Sequence, residues 1–299
     1  MIRRLIAERP ALGVGAFTLL WALMEIIAPL TGVSPYQIVW TRYGIHLIVM
    51  AMIVGRRQGL SFVRTAQPGR EVFASLLMLG MPVFFVFAAR RMPVQDTLAI
   101  FWTAPAFVIG FGALFGYSVG GKRTVASVVL GLIGALLICK PDIGLLSPAA
   151  IFAFGMSACF ALYVVMMGTI RRDAISTKLF HTALWVFAVL TLDVFRFWHM
   201  PTSEGIAALA LIAVLGLGGL YLLDAALENT TPAVIAPVLY MQIAWDAALH
   251  MARHWEKFGQ LPDRATFVGA AIVFAVAVPI LFRHNRPTPR TPLSEQAAA

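Results

Sequence analysis

Thr18-Leu19-Leu20-Trp21-Ala22-Leu23 decides the fold, because its pattern returns 139 residues later as Ser157-Ala158-Cys159-Phe160-Ala161-Leu162. At that offset Arg42 falls on His181, Gly80 on Gly219 and Phe101 on Tyr240. Pro93, ahead of the fourth apolar segment, falls on Pro232, ahead of the ninth. One shift puts the whole chain in register as two copies of a five-segment apolar unit. Five is odd, so the second copy enters a bilayer upside down relative to the first, which is an inverted-repeat architecture.

Composition demands the bilayer. Hydrophobic residues make up 60% of the chain and charged ones 12%, against about 45–50% and about 25% in soluble domains. Crossing roughly 30 Å of hydrocarbon takes about 20 helical residues. Apolar windows of that order run over 11–31, 35–55, 71–89, 94–116 and 124–140, then 148–170, 178–198, 205–223, 232–252 and 265–282. Pro82, Pro105 and Pro237 lie inside them, tolerable in membrane helices because neighbouring groups re-satisfy the freed backbone. The expected fold is all-α and integral to the membrane: ten transmembrane helices in two inverted five-helix repeats. Residues 1–10 form a cytoplasmic N-terminus, 11–140 the first repeat, 148–283 the second, and 284–299 a cytoplasmic tail. The tail carries Pro287, Pro289 and Pro292 among polar residues and is expected to be disordered.

The net charge of +9 lies between apolar segments rather than along one face, which argues against nucleic acid. With both termini cytoplasmic, fifteen Lys and Arg, Lys178 among them, collect inside and seven outside, with Arg42 in the membrane. The positive-inside rule favours that orientation in an inner, cytoplasmic membrane. Met1-Ile2-Arg3-Arg4 opens like a signal peptide, but the apolar run is too long and carries Glu25, so it reads as the first helix. Cys139 and Cys159 sit in apolar segments with no metal spacing, so no disulfide framework is implied.

Ionisable groups at membrane depth face a cavity or one another. Glu25 and Arg42 both lie roughly 10 Å from the outer ends of the first two helices, at 1.5 Å per residue. They suit either a structural ion pair or a substrate or proton site, and His46, one turn deeper than Arg42, either extends that network or packs. Asp193, Asp224, Asp246 and His250 fall near helix ends. Asp246 and His250 share a helix face, yet no third ligand accompanies them, so no metal is expected.

Aromatic residues fall within segments rather than only at interfaces. Trp21 and its repeat mate Phe160, Phe101 and its mate Tyr240, then Trp102, Tyr163, Tyr221 and Trp245 are candidates to line a pocket at the repeat interface. The alternative for each ring is packing or an interfacial belt. Gln242 and Thr103 add neutral hydrogen-bonding groups. Gly110, Gly112, Gly116, Gly120, Gly121, Gly131 and Gly134 have the spacing of closely approaching helices. Gly116-Tyr117-Ser118-Val119-Gly120 matches the nucleophile-elbow pattern of serine hydrolases, which needs a preceding strand. Apolar helices flank it here, so no catalytic residue is expected. No phosphate loop or HExxH site occurs, and no cofactor is expected.

The halves resemble the paired EamA repeats of the drug/metabolite transporter superfamily over about residues 10–283. The stretches that carry the likeness are Gln37-Ile38-Val39-Trp40-Thr41-Arg42-Tyr43, Ala104-Pro105, Gly131-Leu132-Ile133-Gly134-Ala135-Leu136-Leu137 with Lys140-Pro141, and Ala161-Leu162-Tyr163. The resemblance implies a basket of ten helices, a central cavity and alternating access. Members export amino acids or move riboflavin, S-adenosylmethionine or purines. A Gly-Glu common after the fourth and ninth helices is replaced by Gly116-Tyr117 and Gly259-Gln260, so no gating role passes to those positions.

Together these observations point to a carrier in the lipid bilayer that exports small metabolites, amino acids and aromatic ones included. Import of a heterocycle such as riboflavin or S-adenosylmethionine is the alternative, and a non-transporting scaffold or sensor is the alternative from another class.

Overall fold

A computed structural model describes residues 2–142, 147–258 and 263–282. The tail at 284–299 and the Gly259-Gln260 pair lie outside them. Among the described residues there is no strand. After a short helix, Ile2–Glu8, come α1 (Pro10–Ile27), α2 (Pro35–Gln58), α3 (Pro68–Ala89) and α4 in two pieces (Val94–Phe101 and Ala104–Leu114). Then follow α5 (Lys122–Cys139), α6 (Ala150–Thr169), α7 (Ile175–Thr191), α8 (Ser203–Leu227), α9 in two pieces (Pro232–Leu239 and Met241–Phe258) and α10 (Arg264–Leu281).

Among the described residues nine of these helices are long and apolar enough to cross a membrane, and α7 is a shorter apolar helix. Large apolar side chains cover the perimeter: Ile151 is 69% exposed, Phe267 67% and Val214 63%. Exposure on that scale suits lipid rather than water. The chain is an all-α integral membrane protein.

The main packing partners are repeat-related. Helix α1 lies along α8 as α6 lies along α3; α1 packs on α9 as α6 packs on α4; α5 pairs with α10 and α2 with α7. Exchanging the halves maps this pattern onto itself. The glycines explain one seam. A Cβ on Gly134 would lie 2.8 Å from the Gly269 carbonyl oxygen, and one on Gly269 would lie 2.6 Å from that of Gly134. Backbone thus meets backbone between α5 and α10. Gly269→Ala is expected to force the helices apart at a cost of about 1–3 kcal/mol, read as a lower thermal midpoint in detergent; an unchanged midpoint would mean the helices are not in such contact.

Local chemistry sets the ends and breaks. Ser34 caps α2 by accepting from the Gln37 amide at 3.3 Å, ahead of Pro35. Gln37 then clamps the α7–α8 connection, donating from Nε2 to the His199 carbonyl at 2.7 Å and accepting from its amide at 3.0 Å. Pro105 has no N–H for the Phe101 carbonyl, so α4 is interrupted there. Ser157 of α6 takes up the freed oxygen with a hydroxyl donor at 3.1 Å. The break in α9 falls at Tyr240, the repeat mate of Phe101. Lys140, at φ 48° before Pro141, ends α5 and pairs with exposed Asp263 at the start of α10. Hydrogen bonds from Lys140 and Thr266 hold the Asp263 carboxyl at about 2, below its usual range. Ser118 follows a helix and its hydroxyl accepts from the Gly120 amide at 3.2 Å, so the strand a nucleophile elbow requires is missing.

Candidate functional site

Five of the nominated rings, drawn from α1, α4, α6 and α9, form one chain. Trp21 on α1 meets Phe160 on α6 at 6.4 Å between centroids, Phe160 meets Phe101 at 5.7 Å, Phe101 meets Trp102 at 5.2 Å, and Trp102 meets Tyr240 at 6.1 Å. The depth of these rings differs. Phe101, Trp102 and Phe160 are each about 5% exposed or less, and Tyr163 and Tyr240 are fully buried. In this conformation those five pack as core, while Trp21 is half-buried. Gly131 explains how Tyr240 fits, because its missing side chain leaves room for the Tyr240 ring.

Two nominated rings lie elsewhere. Tyr221 lines a groove of about 710 Å³ between α2, α7 and α8, together with His46. Trp245 packs edge-on against Phe274 of α10 at 5.1 Å.

Glu25 organises the polar end of the ring chain. Its Oε1 accepts from Trp21 Nε1 at 2.8 Å and from Gln242 Nε2 at 2.9 Å. Its side chain is exposed, so it faces open space rather than packed protein. Asp246, one turn beyond Gln242 on α9, is an electrostatic neighbour of the same carboxyl.

The expected Glu25–Arg42 ion pair is not formed among the described residues. Trp21 stands between the two, its N–H on Glu25 and its ring 5.7 Å from the Arg42 guanidinium carbon. Arg42 instead donates to the Tyr43 hydroxyl at 2.8 Å and lies 4.5 Å over that ring. His46 does not extend the network: buried, it bonds the Ala213 carbonyl of α8 through Nε2 at 2.8 Å and packs on Tyr43. It is a packing histidine between α2 and α8.

A second polar group, unanticipated as such, lies at the other end of the bundle. Glu71, Lys178 and Asp224 are all fully buried. The apolar windows placed them at helix ends, because each helix extends about a turn past the window: α3 begins at Pro68, α7 at Ile175, and α8 runs to Leu227. Lys178, counted among the inner loop cations, is therefore an interior charge. Charge counting could not separate an interior lysine from a solvated one, but Glu71, Lys178 and Asp224 abutting apolar windows was the available signal.

No protein-family model matches the chain. It is 22% identical to an S-adenosylmethionine uptake transporter of Rickettsia bellii over 86% of its length and 87% of the relative's. A riboflavin transporter of Vibrio cholerae is 24% identical over 86% of each chain. A pseudopaline exporter of Pseudomonas aeruginosa is 24% identical over 81% of this chain and 84% of its own. A solved crystal structure superposes with a TM-score of 0.80 over 91% of this chain and 97% of that one, at 18% identity. That likeness is one of fold.

Proposed function

We propose that the protein is an inner-membrane secondary transporter of the EamA type that exports small metabolites, amino acids with aromatic side chains among them. The single observation that carries this reading is Glu25, an open carboxyl held by Trp21 and Gln242 at the head of a ring chain drawn from both halves. A carboxyl of that kind suits a substrate ammonium group, and the rings suit a flat or apolar body. The named relatives, transporters that import or export, support transport as the class.

In this mechanism the halves are inverted repeats that rock about a central site. Glu25 is open to solvent while Glu71, Lys178 and Asp224 are sealed, an arrangement that suits a carrier open at the Glu25 end and closed at the other. On the orientation proposed for the charges, the closed end is cytoplasmic. Opening that end would require rings such as Tyr163 and Tyr240 to leave the core and face the substrate.

The test is counterflow in liposomes with labelled phenylalanine, leucine, lysine, riboflavin and S-adenosylmethionine. Exchange of phenylalanine or leucine supports the proposal. Exchange of riboflavin or S-adenosylmethionine alone would replace it with transport of a heterocycle, the substrates in the names of two relatives. No exchange of any member would leave a membrane scaffold. If phenylalanine moves, Glu25→Gln is expected to reduce its exchange about tenfold or more, the loss of one charge-assisted hydrogen bond being worth about 1.5–3 kcal/mol. Exchange at the native rate would remove Glu25 from the site.

A further inference from the structure

The cluster at the end away from Glu25 has more negative than positive charge and no role in the ring chain. Glu71 projects from the first turn of α3, Lys178 from the first turn of α7 and Asp224 from the last turn of α8, each at 0% exposure. Lys178 Nζ lies 3.2 Å from Glu228, the residue after α8. Among the described residues, both oxygens of Asp224 and both of Glu71 have no hydrogen-bond donor. Glu71 and Asp224 are electrostatic neighbours of one another and of Lys178.

The other ionisable groups around them are engaged or neutral. Asp173, ahead of α7, accepts from the Thr65 hydroxyl and the Ala66 amide, each at 2.8 Å. His181 of α7 bonds the Val63 carbonyl at 3.0 Å. Tyr163 of α6 and Tyr43 of α2 face the same region, and Arg42 is bound to the Tyr43 hydroxyl. Among the described residues, the carboxyls of Glu71, Asp224 and Glu228 thus all neighbour the Lys178 ammonium. Two buried anions with four orphan oxygens would be far more costly than one anion and one protonated acid.

We propose that Glu71 and Asp224 form a proton-carrying site, with one proton on one of the two carboxyls while this end is closed. When the end opens, the O–H bond breaks, the proton passes to water, and the carboxylate left behind stays beside Lys178. Alternation would then be linked to proton movement at a place separate from the substrate carboxyl Glu25. The release step rests on the alternating-access reading; the occupancy of the site does not.

Infrared spectroscopy of the full chain in lipid at neutral pH tests the occupancy without any substrate. Glu25→Gln combined with Asp246→Asn serves as the background, because it removes both carboxyls of the pair at the other end. In it the carbonyl stretch of a protonated carboxylic acid is expected, shifting slowly in heavy water because the group is sealed. Adding either Asp224→Asn or Glu71→Gln should abolish that band. The absence of the band from that background protein would overturn the proposal, as would a band that survives both further changes. Two separate substitutions guard against one of them failing to fold. Failure of the carrier reading would show itself differently, as no counterflow of any compound, with the band unaffected.

Discussion

Lys178→Met lowers the stability of the protein by about 3–5 kcal/mol, the usual result of removing one partner from a buried charge cluster. Methionine nearly matches the lysine stem in shape, so little packing is lost. What is lost is the Lys178 ammonium beside Glu228, Asp224 and Glu71. Combining Lys178→Met with Asp224→Asn should recover part of the loss, because the second change removes a charge that the first left uncompensated. Chemical unfolding in detergent measures both. A Lys178→Met protein as stable as the native one would mean that the ammonium contributes nothing to holding the cluster, and that its carboxyls are neutral without it.

Trp102→Ala should cost about 3–5 kcal/mol by emptying a core site, since Trp102 is 4% exposed and wedged between Phe101 and Tyr240. Trp21→Phe should do the reverse: it keeps a ring beside Phe160 and removes the N–H that Glu25 accepts. The fold then survives while phenylalanine exchange falls several-fold. Thermal unfolding beside counterflow separates the two kinds of ring. If Trp102→Ala unfolds at the native temperature, the ring chain is looser than packing implies. If Trp21→Phe transports normally, the indole N–H is not orienting Glu25 for substrate.

The helices and their repeat-related pairing were legible because one 139-residue shift aligns prolines, glycines and rings together. The ring partners were legible for the same reason, as Trp21–Phe160 contact shows. Depth was not. Whether a ring such as Tyr163 packs or lines a space depends on which end of the bundle is closed, and periodicity carries no information about that. The charges failed for another reason. Hydropathy windows stop where a charged residue lowers the average, so Glu71, Lys178 and Asp224 were pushed out to the ends of helices that in fact enclose them. Asp246 shows the same weakness: its partner Glu25 is 221 residues away, and nothing local announces the meeting.

The seam between α5 and α10 has a consequence for how the chain can change. Gly134 lies against the Gly269 carbonyl and Gly269 against that of Gly134, a reciprocal contact of the sort that joins two identical subunits across a twofold axis. Here both faces are encoded in one chain, so a larger residue at either position meets the same immovable backbone. The two glycines behave as one inherited character: a side chain introduced at one already separates the helices, and a second at the other adds less than its own separate cost.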